Sequence, residues 1–210
     1  MSRAHFDPAL CLVIGPDDTL GRDPCDVAER ALRGGVTMLQ LRWKQAASDP
    51  LIALAHRLGP LTARFAVPLI LNDRVELVAR AGAQGAHVGQ SDLDVAQARA
   101  LIGPDALLGL SIELPAQLAR IDQALIDYIG VGPIFATATK PDHAQPLGFA
   151  GVAAMRPLVT VPILTIGGVH AQHAAALRRA GADGLAVVSA ICAAADPEAA
   201  ARALRTAFDP

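Results

Sequence analysis

Amide and cationic side chains alternate over residues 40–44, which read Gln-Leu-Arg-Trp-Lys. Alternate residues of a β-strand face the same side, so Gln40, Arg42 and Lys44 are expected to project together. A cation on the inner side of a buried strand is costly unless it meets an anion. We therefore predict that Arg42 and Lys44 capture a phosphate or diphosphate and that Gln40 hydrogen-bonds the same ligand. A purely structural internal ion pair is the alternative.

Aspartates follow two later apolar runs. Residues 71–74 read Leu-Asn-Asp-Arg and put Asp73 just after one run, while residues 87–92 put Asp92 just after the next. Neighbouring carboxylates repel unless a cation lies between them, and Mg²⁺ prefers one or two carboxylates with waters and phosphate oxygens. The pair predicts a Mg²⁺ site. In the alternative interpretation, each aspartate caps the helix that follows it.

Glycine and serine mark a second anion-binding region near the end of the chain. Residues 166–169 read Ile-Gly-Gly-Val, and residues 187–190 read Val-Val-Ser-Ala. Glycine lets a phosphate approach backbone N–H groups, and the N-terminus of a following helix adds a favourable dipole. We predict that Gly168 and Ser189 belong to a phosphate pocket.

Other polar residues in or after the apolar runs are less informative by themselves. A strand-end hydroxyl such as Ser111 binds phosphate or simply satisfies the backbone, and a lone strand histidine such as His87 is more often a packed core residue than a catalyst. The polar segment 136–148 carries Thr137, Thr139 and Lys140. Its length is typical of a binding loop or lid, with a disordered surface excursion as the alternative.

These residues need a scaffold that brings the ends of many strands together. Short runs rich in Val, Ile and Leu alternate with Ala/Leu/Arg-rich stretches of helical spacing, which is typical of a parallel sheet covered on both faces. Eight such units favour one α/β domain over residues 1–210, a closed (β/α)8 TIM barrel whose strand ends form the active face. An open flavodoxin-like sheet is the alternative. The strands are expected at Cys11–Gly15, Met38–Trp43, Leu69–Asn72, Gly85–Gly89, Leu107–Ser111, Tyr128–Pro133, Ile163–Gly167 and Leu185–Ser189.

Helices are expected between these strands, at Asp26–Arg33, Pro50–Arg64, Val75–Ala81, Val95–Ile102, Pro115–Leu125, Gly151–Leu158, Ala171–Ala180 and Glu198–Ala207. Three boundaries resemble one another, at residues 31–36, 79–85 and 178–184. In each, a helical stretch ends on glycine just before a strand, as helices commonly do. The recurrence supports the repeating strand–helix unit.

Composition excludes several other classes of function. A net charge of −2 in 210 residues gives no broad basic surface for nucleic acid, and no apolar run approaches a membrane span. Three widely spaced cysteines and no signal-peptide layout indicate a cytoplasmic protein in a reducing compartment. The expected partners are phosphorylated small molecules, and a homo-oligomer is left open.

Six segments together resemble the thiamine-phosphate synthase family and span most of the chain: QLRWK (40–44), LNDR (71–74), GAHVGQSDL (85–93), YIGVGPIFATATKPD (128–142), IGGV (166–169) and AGADGLAVVSAI (180–191). The resemblance implies a transferase that couples 4-amino-2-methyl-5-(diphosphooxymethyl)pyrimidine with 4-methyl-5-(2-phosphooxyethyl)thiazole. The products are thiamine monophosphate and pyrophosphate.

The resemblance also implies a role for each matching residue. Two substrates and Mg²⁺ are divided among thirteen positions, with Arg42, Lys44, Ser111 and Lys140 as the catalytic residues. The pyrimidine diphosphate would be bound by Gln40, Arg42, Lys44, Asn72, Ser111 and Lys140, the thiazole phosphate by Thr137, Thr139, Gly168, Val188 and Ser189, and Mg²⁺ by Asp73 and Asp92.

The chain departs from the family pattern at three places. Trp43 stands where the family usually has an acidic residue, Glu113 stands where it often has histidine, and the first strand ends at Gly15 and Pro16 instead of Val-Thr-Asp. We expect Trp43 to point away from Arg42 and Lys44. Two alternatives to the synthase are a thiazole-phosphate tautomerase-like paralogue and a non-catalytic protein that binds thiazole or thiamine phosphate.

Overall fold

The computed structural model describes residues 6–137 and 145–209. Its strands are β1 (Leu10–Ile14), β2 (Met38–Leu41), β3 (Leu69–Asn72), β4 (Gly85–Val88), β5 (Leu107–Ile112), β6 (Tyr128–Val131), β7 (Ile163–Ile166) and β8 (Gly184–Val187). Each strand pairs in parallel with the next, and β8 pairs with β1 to close a barrel. The predicted TIM barrel is confirmed, and the open sheet is wrong.

Helices cover the outside of the barrel: α1 (Pro24–Arg33), α2 (Ser48–Arg64), α3 (Val78–Ala81), α4 (Val95–Ile102), α5 (Pro115–Leu118), α6 (Gly148–Met155), α7 (Ala171–Arg179), α8 (Ser189–Cys192) and α9 (Pro197–Phe208). Aspartates are the N-caps of three of these helices. The Asp23, Asp94 and Asp196 carboxylates accept hydrogen bonds from the first-turn N–H groups of α1, α4 and α9. Within the described residues, the structure contains no helix long and apolar enough to cross a membrane.

Two hydrophobic layers hold the barrel together. The larger lies between strands and helices and includes Leu12, Leu41 and Leu71, while the smaller fills the lumen with Cys11, Met38 and other side chains. Strand residues therefore alternate between the helix layer and the lumen. This alternation makes the apolar runs continuous, as the sequence indicated.

Several predicted boundaries are wrong. The stretch Pro115–Leu125 is helical only as α5 and then as a 3-10 turn at Gln123–Leu125. Residues Val75–Leu77 and Arg156–Leu158 are also 3-10 turns flanking α3 and α6. The predicted strand Leu185–Ser189 ends at Val187, and Ser189 begins the short helix α8. Periodicity does not distinguish a single tight turn from the edge of a regular element.

Glycines follow the helices at the three boundaries where the repeated sequence pattern predicted them. Gly35, Gly82 and Gly181 have φ values of 104°, 65° and 103°, which glycine adopts at little cost. Each lies just after a helix and just before the next strand. The three boundaries thus share a conformation as well as a sequence pattern.

Candidate active site at the mouth of the barrel

One cavity of about 520 Å³ opens at the carboxyl ends of the strands. It is lined by every predicted site residue that lies within the described part of the chain, namely Gln40, Arg42, Lys44, Asn72, Asp73, Asp92, Ser111, Thr137, Gly168, Val188 and Ser189. Thr139 and Lys140 lie outside the described residues. The barrel therefore gathers residues that are up to 149 positions apart in sequence (from 40 to 189) around a common space.

Strand β2 carries the predicted clamp in the expected alternation. Gln40 is only 5% exposed and lines the cavity, as do Arg42 and Lys44 beyond the strand end. Trp43 instead packs against the helix layer. Its bulk therefore lies away from Arg42 and Lys44, as predicted.

Lys44 forms an ion pair at the cavity mouth, since its Nζ lies 3.2 Å from Asp73 Oδ2. The Lys44 side chain is 48% exposed, so the pair is accessible to solvent. Burial and the neighbouring Asp92 carboxyl raise the pKa of Asp73, while Lys44 acts in the opposite direction. Asp73 and Asp92 are thus brought together beside a lysine.

Neither aspartate caps a helix, and that alternative is wrong. The N-cap of the 3-10 turn after β3 is Arg74, and the cap of α4 is Asp94. Asp92 instead accepts a hydrogen bond of 2.7 Å from the backbone N–H of Gly89. Asp73 has a φ of 62°, a left-handed conformation that is uncommon outside glycine and clusters at functional sites.

The Asp73–Asp92 pair suits a hard divalent cation. The Asp92 carboxyl is close enough to raise the pKa of Asp73, and both residues line the cavity. No group of three or more His, Cys, Asp or Glu side chains able to hold a metal occurs within residues 6–137 and 145–209. A two-carboxylate set leaves the other positions to water and substrate oxygens, which is the pattern that Mg²⁺ favours.

The glycine half of the mouth is a tight junction of two loops. Gly167 and Gly168, directly after β7, have φ values of 93° and 64°. The Phe135 N–H donates to the Gly167 carbonyl at 2.9 Å, and a Cβ on Gly168 would lie 2.7 Å from the Ala136 carbonyl oxygen. This close approach fixes the segment that leads to Thr137 beside the glycines.

Ser189 is the first residue of α8, with Val188 as its N-cap. The sequence had placed Ser189 at the end of a strand; the correction puts the hydroxyl beside the first backbone N–H groups of a helical turn. N–H groups in a first helical turn lack partners within the helix and attract anions. The expected phosphate pocket therefore has a hydroxyl, glycines and helix-start amides on one side of the cavity.

Two polar side chains in the lumen floor were not predicted as site residues. His87 and Tyr128 both line the cavity, and His87 hydrogen-bonds Ser111 Oγ through Nε2 at 2.9 Å and the Tyr128 hydroxyl through Nδ1 at 3.2 Å. Burial lowers the pKa of His87 to about 4, so the ring is neutral, and raises the pKa of Tyr128 well above its ordinary value. Glycines at Gly109 and Gly130 on the adjoining strands were the available signal, because strand glycines mark close approach.

Asp18 is a third residue that the sequence analysis did not predict. Burial raises its pKa, and the Arg42 guanidinium is the largest opposing influence. Asp18 follows β1 in a 3-10 turn at Pro16–Asp18, so it supplies an anionic neighbour for Arg42 from the adjoining strand end. Glu113, one of the three departures noted in the sequence, lines the cavity beyond β5.

Fold and site together define a class, the TIM-barrel enzymes that act on phosphorylated small molecules at the carboxyl ends of the strands. Comparison with known proteins narrows this class to one family. Residues 10–191 match the family model described as thiamine monophosphate synthase. The chain therefore belongs to the thiamine monophosphate synthase family, whose members are transferases.

Individual relatives agree over nearly the whole chain. A thiamine-phosphate synthase of Chloroflexus aurantiacus is 48% identical over 206 residues, which cover 98% of this chain and 95% of that protein. One of Albidiferax ferrireducens is 47% identical over 189 residues, covering 90% and 86%. The structure of a thiamine phosphate pyrophosphorylase from Pyrococcus furiosus superposes with a TM-score of 0.87 at 26% identity, covering 97% and 96%.

Proposed function

We propose that this chain is a thiamine-phosphate synthase that joins the aminopyrimidine diphosphate to the thiazole phosphate. The observation that carries the proposal is the division of one cavity into two unlike halves. One half holds Arg42, Lys44 and the facing carboxylates of Asp73 and Asp92, and the other holds the Gly168 turn and Ser189. Two anionic substrates with different charge need two such environments.

The pyrimidine diphosphate is assigned to the half formed by β2, β3 and β5. Arg42 and Lys44 neutralise the diphosphate, and Gln40, Asn72 and Ser111 hydrogen-bond the substrate. Lys140 is assigned here as well, from the family resemblance alone. Two observations support the assignment of the residues that the structure describes. They line the same cavity, and the alternate residues from Gln40 to Lys44 all face it.

The thiazole phosphate is assigned to the half formed by the loops after β6, β7 and β8. Gly168, Val188 and Ser189 surround the phosphate, and Thr137 reaches it from the loop that is hydrogen-bonded to the glycine turn. Thr139 is assigned by resemblance. The loops after the seventh and eighth strands are the usual phosphate-binding place in this fold.

Mg²⁺ is proposed as the cofactor, with Asp73 and Asp92 as its protein ligands. When bound, it would offset the charge that develops on departing pyrophosphate. The two carboxylates supply the negative charge that such an ion needs, and Lys44 is close enough to Asp73 to orient it.

The chemistry requires positioning more than a protein nucleophile. The methylene carbon–oxygen bond breaks, and its electron pair leaves with pyrophosphate, whose charge Arg42 and Lys44 stabilise. The electron-rich aminopyrimidine stabilises the resulting methylene cation. The thiazole nitrogen then donates its lone pair to that carbon and forms the new carbon–nitrogen bond, so holding the two rings in line supplies much of the acceleration.

The proposal is tested by mixing purified protein with both substrates and Mg²⁺. Thiamine monophosphate and pyrophosphate are measured in the same samples. We expect equimolar formation of the two products, and none when either substrate is omitted. A folded protein that binds both substrates and yields neither product would contradict the proposal and favour the non-catalytic alternative. Isomerisation of the thiazole phosphate alone would favour the tautomerase alternative.

A cytoplasmic location is proposed on the state of the cysteines. Cys11, Cys25 and Cys192 are free thiols in the fold, which suits a reducing compartment. Small phosphorylated substrates are the partners that the family indicates. Fractionation of cells followed by detection of the chain tests the location, and recovery in the membrane fraction would contradict it.

A further inference from the structure

The loop after β1 reaches across to the helical turn that carries Ser189. The Arg22 guanidinium donates hydrogen bonds to two backbone carbonyls at the far end of α8, from Nη1 to Ala194 O at 2.9 Å and from Nη2 to Cys192 O. Arg22 Nε also donates to the Thr19 carbonyl at 3.1 Å. One side chain therefore joins the first strand–helix connection to the last one, across 170 positions of sequence.

A tight turn at Thr19–Arg22 sets the direction of this guanidinium. The Arg22 N–H donates to the Thr19 carbonyl at 3.2 Å, and the fully buried Thr19 hydroxyl donates to the Arg22 carbonyl at 2.7 Å. Between them, Leu20 and Gly21 have φ values of 54° and 80°. A bulky residue such as leucine rarely adopts a left-handed conformation, and such strain persists only where the surrounding contacts enforce it. The chain therefore tolerates a strained turn at the base of Arg22.

The short helix α8 needs contacts from outside to keep its shape. It is a single turn, in which the Cys192 N–H donates to Val188 O at 2.8 Å and the Ala193 N–H donates to Ser189 O at 3.0 Å. One isolated helical turn is unfavourable, because several backbone torsions are fixed for very few hydrogen bonds. The carbonyls at the end of a helix also lack partners within it. Arg22 supplies partners for two such carbonyls.

An arginine suits this end of α8 for two reasons. Its guanidinium presents several donors in a rigid planar fork, so it can bridge two carbonyls at a fixed separation. Its positive charge also interacts favourably with the negative end of a helical turn. A turn of four residues is only about 6 Å long, so a displacement of its far end also moves its near end. That near end places Val188 and Ser189 on the cavity wall.

We propose that Arg22 is a positioning residue, which fixes α8 from behind and thereby holds Ser189 in place for the thiazole phosphate. Arg22 is not among the described residues that line the cavity, so it acts through the turn and not by touching the substrate. This inference rests on the proposed function, since it takes the position of the thiazole phosphate from there. It adds the connection after β1 to a pocket assigned to the loops after β6, β7 and β8.

Amide hydrogen exchange measures the hold on α8 in the absence of any substrate. In Arg22→Ala, the N–H groups of Cys192 and Ala193 should exchange about tenfold faster than in the unmodified protein, because the turn opens more readily. Amides of β5, on the far side of the barrel, should keep their exchange rates. Unchanged exchange at Cys192 and Ala193 in a folded Arg22→Ala would overturn the inference.

Initial rates measure the consequence for substrate binding. In Arg22→Ala, the KM for the thiazole phosphate should rise about tenfold, while kcat and the KM for the pyrimidine diphosphate should change by no more than about twofold. Arg22→Lys keeps the charge but replaces the fork by a single ammonium, so the thiazole-phosphate KM should rise about threefold. If Arg22→Ala does not fold, the lysine variant decides. A thiazole-phosphate KM that is unchanged in every folded variant at Arg22, or that rises equally with the pyrimidine KM, would overturn the inference.

Arg156→Ala is the matched control. Arg156 Nη2 also donates to two backbone carbonyls, Val159 O at 2.6 Å and Val161 O at 3.2 Å, but these lie just before β7, at the opposite end of the barrel from the cavity mouth. Its loss should leave exchange at Cys192 and the thiazole-phosphate KM unchanged, and equal effects in both alanine variants would overturn the inference. Failure of the unmodified protein to bind the thiazole phosphate would instead contradict the proposed function, and hydrogen exchange would still decide whether Arg22 holds α8.

Discussion

Lys44 Nζ lies 3.2 Å from Asp73 Oδ2, and this pair joins the end of β2 to the end of β3 at the cavity mouth. The Asp92 carboxyl, beyond β4, lies close enough to raise the pKa of Asp73. Three consecutive strands thus contribute one cation and two carboxylates to a single cluster. Under the proposed function, a diphosphate with its metal would dock against this cluster by exchanging the Lys44–Asp73 contact for contacts with the ligand.

Replacing Asp92 tests the proposed metal site. Asp92→Ala removes one of two oxygen-ligand groups, and we expect Mg²⁺-dependent kcat/KM to fall by about 10²-fold or more. Thiazole-phosphate binding should persist, because its pocket lies across the cavity. Steady-state kinetics at several Mg²⁺ concentrations provide the measurement.

Asp94→Ala is the matched control for that variant. Asp94 is two residues away and caps α4, so its loss should cost about 1 kcal/mol of stability with little change in turnover. Turnover that is unchanged in Asp92→Ala, or lowered equally in both variants, would refute the metal assignment.

Ser189→Ala tests the phosphate pocket at α8. Loss of one hydroxyl donor to a charged phosphate should raise the KM for the thiazole phosphate by about tenfold. The KM for the pyrimidine diphosphate should change little, and both constants come from one set of initial-rate measurements. An effect confined to the pyrimidine substrate would argue against the pocket.

The Gly168 turn offers a comparison between two glycines of nearly equal φ. Gly168 and Gly82 have φ values of 64° and 65°, but a Cβ at Gly168 meets Ala136 and Phe135, whereas one at Gly82 has nothing within 4 Å. Alanine at Gly82 should destabilise the fold by about 1 kcal/mol through backbone strain, and alanine at Gly168 should destabilise it more because its Cβ also overlaps neighbouring atoms. Only Gly168→Ala should also raise the thiazole-phosphate KM.

Denaturant unfolding and initial rates separate these two effects. If Gly82→Ala raised that KM as much as Gly168→Ala, the change would reflect general loosening of the barrel. A specific role for the contact between the loop after β6 and the loop after β7 would then be refuted.

A buried ion pair stabilises the barrel at the amino-terminal ends of the strands, opposite the cavity mouth. Arg99 and Asp127 are 8% and 9% exposed, and Arg99 Nη2 lies 2.6 Å from Asp127 Oδ2 next to the start of β6. Asp127→Asn leaves the arginine charge uncompensated, so we expect a loss of about 3 kcal/mol in the free energy of unfolding. Urea denaturation measures it, and kcat of the folded variant should not change. A large fall in kcat without loss of stability would contradict the division between a stabilising end and an active end.

The fold could be predicted because its signals are repeated. Eight apolar runs and glycine-ended helices such as α3 and α7 all point to the same unit, and an error in one does not alter the topology. Short turns were predicted less well. The segment after α5 and the start of α8 each depend on the hydrogen bonding of a few residues, which periodicity does not record.

The residues of the candidate site also differ in how far the sequence could predict them. The position of Gln40, Arg42, Asp73 and Asp92 at the cavity could be predicted because polar side chains at the ends of buried strands are costly and therefore conspicuous. His87 and Tyr128 could not, since a histidine or a tyrosine within an apolar run also suits a packed core. Their roles depend on contacts across Gly109, and such contacts require the register of three strands.

The proposal that this chain is a Mg²⁺-dependent thiamine-phosphate synthase is tested by titrating Mg²⁺ into metal-stripped protein with both substrates and quantifying thiamine monophosphate and pyrophosphate in the same samples. We expect both products to rise together in a 1:1 ratio, to saturate with Mg²⁺ and to disappear on chelation. Absence of both products at saturating Mg²⁺ from folded protein would contradict it.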